Sequence, residues 1–298
     1  MTYKTPVILD TDIGGDIDDT WALAMLLKSP ELDLKLVLTD TGNTTYRAQV
    51  AAKLLEIAGR TDVPVAVGIH QSDECGPQAP WVEGYDLDTY PGTVRRDGVQ
   101  ALIDTIMTSP EPVTLIAIGP VPNIAAALEQ EPRIAGNARF VGMHGSVRLG
   151  YGGAPEISAE WNVVADAAAC RAAFAAPWDV TITPLDTCGL VRLTGEAYVR
   201  VRDCTDPLVQ AVIENYRVWA SRTEGAQPDA ESASSTLFDT VAVYLAFSEE
   251  WCVMEDLGLR VTDDGYTLLD QSAKPIRCAT AWRDLPSFEK FLAARLTE

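Results

Sequence analysis

Five carboxylates crowd into ten residues near the start of the chain, in Asp10-Thr11-Asp12-Ile13-Gly14-Gly15-Asp16-Ile17-Asp18-Asp19. Mutual repulsion makes that arrangement costly unless a cation neutralises it or several of the groups stay protonated. Hard oxygen donors with no histidine or thiolate among them favour calcium or magnesium over zinc. The two glycines permit a tight turn and let a ligand approach the backbone. A solvated acidic loop, with an aspartate capping the next helix, is the plainer reading. The position directly after a buried apolar run, Pro6 to Leu9, favours the metal.

Two metal loops can be tested against this segment. An EF-hand beginning at Asp10 would need an acidic or amide residue at Gly14 and a glutamate at Trp21, and it fails at both. The spacing Asp10-x-Asp12 resembles the nucleophile and acid of haloacid-dehalogenase-like phosphatases, although those carry threonine or valine where Gly14 stands. A metal-dependent phosphatase therefore stays open as an alternative. The six cysteines show no C-x-x-C spacing and read as reduced thiols of a cytoplasmic protein. The two histidines, His70 and His144, are isolated, which argues against zinc.

Composition limits the partners. Acidic residues number 43 against 23 basic ones, a formal charge of −20. That field repels nucleic acid and anionic membranes, and suits a neutral small molecule or a metal cation. The start of the chain lacks the long apolar core of a signal peptide, and no apolar stretch is long enough to span a bilayer.

The elements that must position the acidic loop follow an alternating rhythm. Strands are expected at Pro6–Leu9, Leu32–Leu38, Pro64–Val67, Val113–Ile118, Arg139–Met143 and Val180–Leu185. Helices are expected between them, at Asp19–Lys28, Tyr46–Ala58, Gly98–Met107, Val121–Leu128 and Ala165–Phe174. Such βαβ units build a Rossmann-like α/β fold, an open and mostly parallel sheet flanked by helices. Later come helices at Leu208–Arg222 and Thr236–Phe247, a hairpin at Leu259–Leu269, and a closing helix at Ser287–Leu296. With no repeat or long linker, residues 1–298 read as a single domain. Ligands of such sheets bind beyond the carboxyl ends of the strands. There the segments Asp10–Asp19, Thr39–Asn43, Ile118–Pro120 and Met143 onward would converge.

At those segments the chain resembles the nucleoside hydrolases. Ile8-Leu9-Asp10-Thr11-Asp12-Ile13-Gly14, followed by Asp18-Asp19-Thr20-Trp21-Ala22-Leu23, is similar to the family's opening strand, loop and helix. Gly42-Asn43, then Ile118-Gly119-Pro120-Val121-Pro122-Asn123-Ile124-Ala125, then Ala159-Glu160-Trp161-Asn162, and finally Phe238-Asp239 follow in the family's order. The resemblance implies calcium-dependent hydrolysis of the N-glycosidic bond of ribonucleosides, serving purine and pyrimidine salvage. It also implies a homo-oligomer, dimer or tetramer. Asp12, Asp19, Asp239 and the Ile118 carbonyl would hold Ca2+, and Asp12 would be the base. Asp18 and Asn43 would meet the ribose near its 2′ side, Asn162 with Asp239 near the 3′ hydroxyl, and Glu160 the 5′ hydroxyl.

The departures from the family pattern carry information too. The acidic loop is two residues longer than the usual form, which makes Asp16 an extra carboxylate. Ala154 stands where an asparagine is usual. Phe238 replaces the histidine that precedes the last aspartate and cannot protonate a departing base. His144, at a strand end where the family often has glycine, is the expected substitute acid, with packing at a strand end as its plainer reading. Trp81, in a candidate lid from Gln71 to Thr93, is the expected stacking partner of the base, with Trp161 and Trp219 as further candidates. Phe238 also motivates a second class of reading, a non-catalytic nucleoside- or sugar-binding protein.

Overall fold

The computed structural model describes residues 4–223 and 229–298. The apolar runs of the first two thirds form strands β1 (Thr5–Thr11), β2 (Leu32–Thr39), β3 (Val65–Val67), β4 (Val94–Arg95), β5 (Val113–Ala117), β6 (Ala138–Met143) and β7 (Val180–Thr183). With β8 (Cys252–Val261), β9 (Thr267–Leu269) and β10 (Pro275–Trp282) they make one ten-stranded sheet, in the order β4-β3-β2-β1-β5-β6-β7-β10-β8-β9. Pairing is parallel from β4 through to β10; β8 and β9 then add an antiparallel edge. β5 is buried along its whole length, as a parallel strand covered on both faces must be.

Helices α1 (Asp18–Leu27), α2 (Thr44–Ile57), α3 (Gly98–Thr108), α4 (Pro122–Gln130), α5 (Trp161–Ala165) and α6 (Ala167–Ala175) connect these strands. The later part adds α7 (Gly195–Arg202), α8 (Pro207–Ala220), α9 (Thr240–Leu245) and α10 (Leu285–Thr297). Two apolar clusters cover the sheet. One contains Trp21, Leu54 and Tyr216; the other contains Leu102, Ile124 and Phe140. The chain runs outward from β1 to β4 and returns to the other side of β1 as β5. Strand order therefore reverses between β1 and β5, where a crevice opens beyond their carboxyl ends. Asp12 follows β1 and Ile118 follows β5, so this reversal brings the acidic loop to the crevice.

Two elements differ from the sequence reading. The helix expected at 165–174 is two helices, because Asp166 leaves helical geometry and its side chain accepts the Ala169 N–H at 2.9 Å, starting a new helix. The helix expected at 236–247 contracts to α9, which puts Asp239 at its N-cap, just before the first helical residue. The polar segment expected at 223–235 includes residues 224–228, which lie outside the described residues. The hairpin expected at 259–269 is the end of β8 paired with β9, whereas the earlier part of β8, β10 and α7 escape a periodicity reading. β10 alternates only partly, with an exposed Arg277 salt-bridged to Glu249 on the surface.

Candidate active site

The acidic loop folds back on itself directly after β1. Thr11 donates its hydroxyl to Asp19 Oδ1 at 2.5 Å and accepts the Ile13 N–H at 3.1 Å. Gly14, at φ +101°, makes the turn, and a Cβ there would meet the Tyr46 ring at 2.8 Å. Asp18 and Asp19 then occupy the first turn of α1, where the helix dipole favours negative charge. Among the described residues Asp18, Asp19 and Asp239 are close enough to share a metal ion: each is buried, and each offers an oxygen within 4.8 Å of the others'. Burial first, and repulsion from neighbouring aspartates second, pushes all three well above the usual carboxylate range. An all-oxygen, uncompensated donor set of this kind fits a hard divalent cation.

These carboxylates form one wall of a cavity of about 420 Å³, which Asp12, Ile118, Glu160 and Asn162 also line. The triad includes Asp18 where the sequence reading put Asp12. Asp12 lies beside it and faces Arg47, whose Nη2 stands 3.8 Å from Asp12 Oδ2. Asp10 is fully buried behind the cavity, where Asn123 Nδ2 donates to its Oδ1 at 3.1 Å. The same Asn123 donates to the Thr39 carbonyl and accepts the Ile69 N–H, so it ties together the segments after β1, β2 and β3. Burial raises Asp10 to about 7, and raises its buried neighbour Asp40 well above its ordinary value. Asp16, the extra carboxylate, is exposed at the cavity rim, and its backbone carbonyl accepts a 2.7 Å hydrogen bond from Gln78.

Glu160 and Asn162 line the same cavity. Glu160 caps α5, accepting the N–H groups of Asn162 at 2.8 Å and Val163 at 3.3 Å, and also that of Gly145 at 3.0 Å. Burial still outweighs these bonds and raises Glu160 to about 7. Asn162 donates to the Met143 carbonyl at 3.0 Å and the Ile118 carbonyl at 3.3 Å, pinning the ends of β5 and β6. An aromatic rim completes the cavity. Tyr151 and Phe238 meet edge to face at 6.1 Å, the Trp161 backbone N–H donates to the Tyr151 hydroxyl at 2.9 Å, and Trp219 lines the cavity from α8. The Trp161 side chain is largely exposed, which suits a surface covered only when a ligand binds.

Three expected site residues lie elsewhere. Asn43 caps α2 instead: its Oδ1 accepts the Tyr46 N–H at 3.0 Å and its Nδ2 donates to the Asp73 carbonyl at 3.1 Å. Trp81 is buried in the apolar cluster, donating to Glu214 at 3.2 Å beneath the Lys53 ammonium. His144 is fully buried, away from the cavity lining. It packs against Phe140 and Phe174, and its Nε2 lies 3.1 Å from the Gly119 carbonyl. Burial lowers it to about 4, so it is neutral near pH 7, and it is not among the residues lining the cavity. Sequence reasoning missed Arg47 and Tyr151. Arg47 had a signal, since it stands one helical turn beyond Asn43.

Known proteins resemble this chain over most of its length. The family model described as inosine-uridine preferring nucleoside hydrolase matches residues 7–289. The chain is 32% identical over 241 residues to the non-specific ribonucleoside hydrolase RihC of Salmonella paratyphi B, covering 75% of each protein. Its fold is similar to that of a plant nucleoside hydrolase (TM-score 0.80, 24% identity, 99% of each chain). It is equally similar to that of a purine-preferring ribonucleoside hydrolase from Gardnerella vaginalis (TM-score 0.80, 23% identity, 98% of each chain).

Proposed function

The chain belongs to the inosine-uridine preferring nucleoside hydrolase family, and on that premise we propose that it cleaves the N-glycosidic bond of ribonucleosides, releasing free base and ribose, with calcium as its cofactor. The observation that carries this reading is the buried triad Asp18, Asp19 and Asp239, set at the strand-order reversal beneath an aromatic rim. These three residues would hold calcium, with the Ile118 carbonyl and Asp12 at the same wall. A calcium ion held there would supply a hard positive charge for binding the vicinal ribose hydroxyls and for making water modestly more acidic.

The chain's own residues supply the rest. Asp12 takes the proton of the attacking water as general base. As the bond to the base stretches, the ribose gains oxocarbenium character, which the surrounding carboxylates stabilise. Asn162 and Asp239 orient the 3′ hydroxyl, Glu160 accepts from the 5′ hydroxyl, and Asp18 faces the 2′ side. Trp161, Tyr151 and Phe238 sandwich the base. Phe238 has no proton to give, so this wall activates the leaving group by stacking and exclusion of water. A homo-oligomer and a cytoplasmic setting complete the reading.

Two other readings fare worse. A phosphatase using Asp10 as nucleophile needs that carboxylate in the cavity, whereas Asp10 is fully buried and hydrogen-bonded to Asn123. A binding protein needs no base beside the metal ligands, yet Asp12 stands there. A panel of purine and pyrimidine ribonucleosides, assayed for reducing sugar with and without chelator, tests the proposal. Calcium-dependent ribose release supports it. Tight binding with no release, or phosphate release from phosphomonoesters, would replace it.

A further inference from the structure

Arg47 is the only cationic side chain lining a cavity walled by carboxylates, among the described residues. Two loops hold it. Its Nε donates to the Thr41 carbonyl at 2.9 Å, and its Nη1 donates to the Ile13 carbonyl at 3.1 Å. Both loops are shaped around the guanidinium. Thr41 and Gly42 adopt left-handed backbone at φ 51° and 56°, and a Cβ on Gly15 would stand 3.3 Å from Nη1. Nη2 makes no hydrogen bond to the described residues, and its carboxylate neighbour is Asp12 Oδ2 at 3.8 Å. The guanidinium is thus fixed on two corners and carries a free donor on the third.

Its place beside Asp12 decides which part of a substrate it meets. In a β-ribonucleoside the base projects from one face of the sugar and the 2′ and 3′ hydroxyls from the other. Water displacing the base attacks from the hydroxyl face, so a group next to the general base lies on that face, out of reach of the departing base. The 3′ side is served by Asn162 and Asp239. Of the two residues expected on the 2′ side, Asp18 is an acceptor in the buried triad and Asn43 is turned away to cap α2, and Arg47 stands one turn further along the same helix.

We propose that Arg47 is the specificity residue for the 2′ hydroxyl, its free Nη2 donating to that oxygen and selecting ribosides over 2′-deoxyribosides. The assignment rests on the hydrolase reading above. The test compares wild type with Arg47→Gln and Arg47→Lys on uridine, 2′-deoxyuridine and p-nitrophenyl β-riboside. Where 2′-deoxyuridine is not turned over, its inhibition constant against uridine serves instead. Arg47→Gln should lower kcat/KM for uridine and for the p-nitrophenyl riboside alike by roughly 10- to 150-fold, the size of a hydrogen bond to a charged group. It should change the 2′-deoxy compound less than about threefold, so that the preference for ribosides collapses. Arg47→Lys, which keeps the charge but cannot span both carbonyls, should fall between.

Equal losses on both sugars would show that Arg47 only supports the loops. A loss confined to uridine, sparing the p-nitrophenyl riboside, would place Arg47 at the base. Either result overturns the assignment while leaving the hydrolase reading intact. Wild-type protein that releases no ribose from any nucleoside would remove both.

Discussion

Asp18 and Asp239 come from opposite ends of the chain, yet their carboxylates lie within 4.8 Å of each other and of Asp19. Packing of α1 beside α9 brings them together at the cost of burying like charges. The folded protein therefore holds, in its interior, a cluster that a cation would relieve. Saturating calcium should raise thermal stability, by about 2.7 kcal/mol when its concentration is a hundred times Kd. Asp239→Asn should weaken calcium binding at least tenfold in a calorimetric titration. Unfolding curves that superimpose with calcium and with chelator would contradict the assignment.

His144 predicts a specific acid sensitivity. Burial holds it at about 4, against an ordinary 6.5. Between those values the unfolded chain takes up a proton that the native imidazole refuses. Stability is therefore lost as pH falls from about 6.5 towards 4, with this residue's share reaching about 3 kcal/mol. Replacing it with leucine should remove that share, read as a shallower fall in urea-unfolding free energy across the window. A slope equal to that of wild type would show that the ring is not buried neutral.

The same variant bears on leaving-group activation. Because His144 does not line the cavity, His144→Leu should change hydrolysis of inosine and of p-nitrophenyl riboside by the same factor. A loss of about 10²-fold or more on inosine alone, the signature of a missing general acid, would restore it to the mechanism.

The aromatic rim should act on binding rather than on folding. The Trp161 side chain is 63% exposed, so Trp161→Ala leaves no core cavity. Its unfolding free energy should stay within about 0.5 kcal/mol of wild type, the range for surface substitutions. Loss of stacking should raise KM for natural nucleosides by roughly 5- to 150-fold, on the scale of 1–3 kcal/mol per stacked base. An unchanged KM would leave the base elsewhere.

Much of this is legible in the sequence. The alternation of apolar runs with helical segments predicts a parallel sheet, because a strand buried on both faces carries a continuous apolar run, as Val7–Leu9 of β1, Leu36–Leu38 of β2 and Leu115–Ala117 of β5 do. The acidic loop, Asp239, Glu160 and Asn162 announced themselves by charge crowding and by their order along the chain. What stayed hidden depends on side-chain direction. Asn43 and His144 both follow strands that reach the crevice, but one turns to cap its own helix and the other turns into the apolar layer with Phe140. Trp81 has the composition of a stacking residue and the surroundings of a core residue. Arg47 was missed because an arginine in an amphipathic helix reads as solvated surface. Only the left-handed turn at Thr41 and Gly42 reveals that the backbone is shaped to hold it.

The most direct measurement is proton NMR of uridine incubated with the protein and calcium. The reading predicts uracil and ribose appearing in equal amounts, with release abolished by chelator, restored by calcium, and lowered by several powers of ten in Asp12→Ala. Uridine that binds but stays intact, or turnover that survives both chelator and Asp12→Ala, would contradict it.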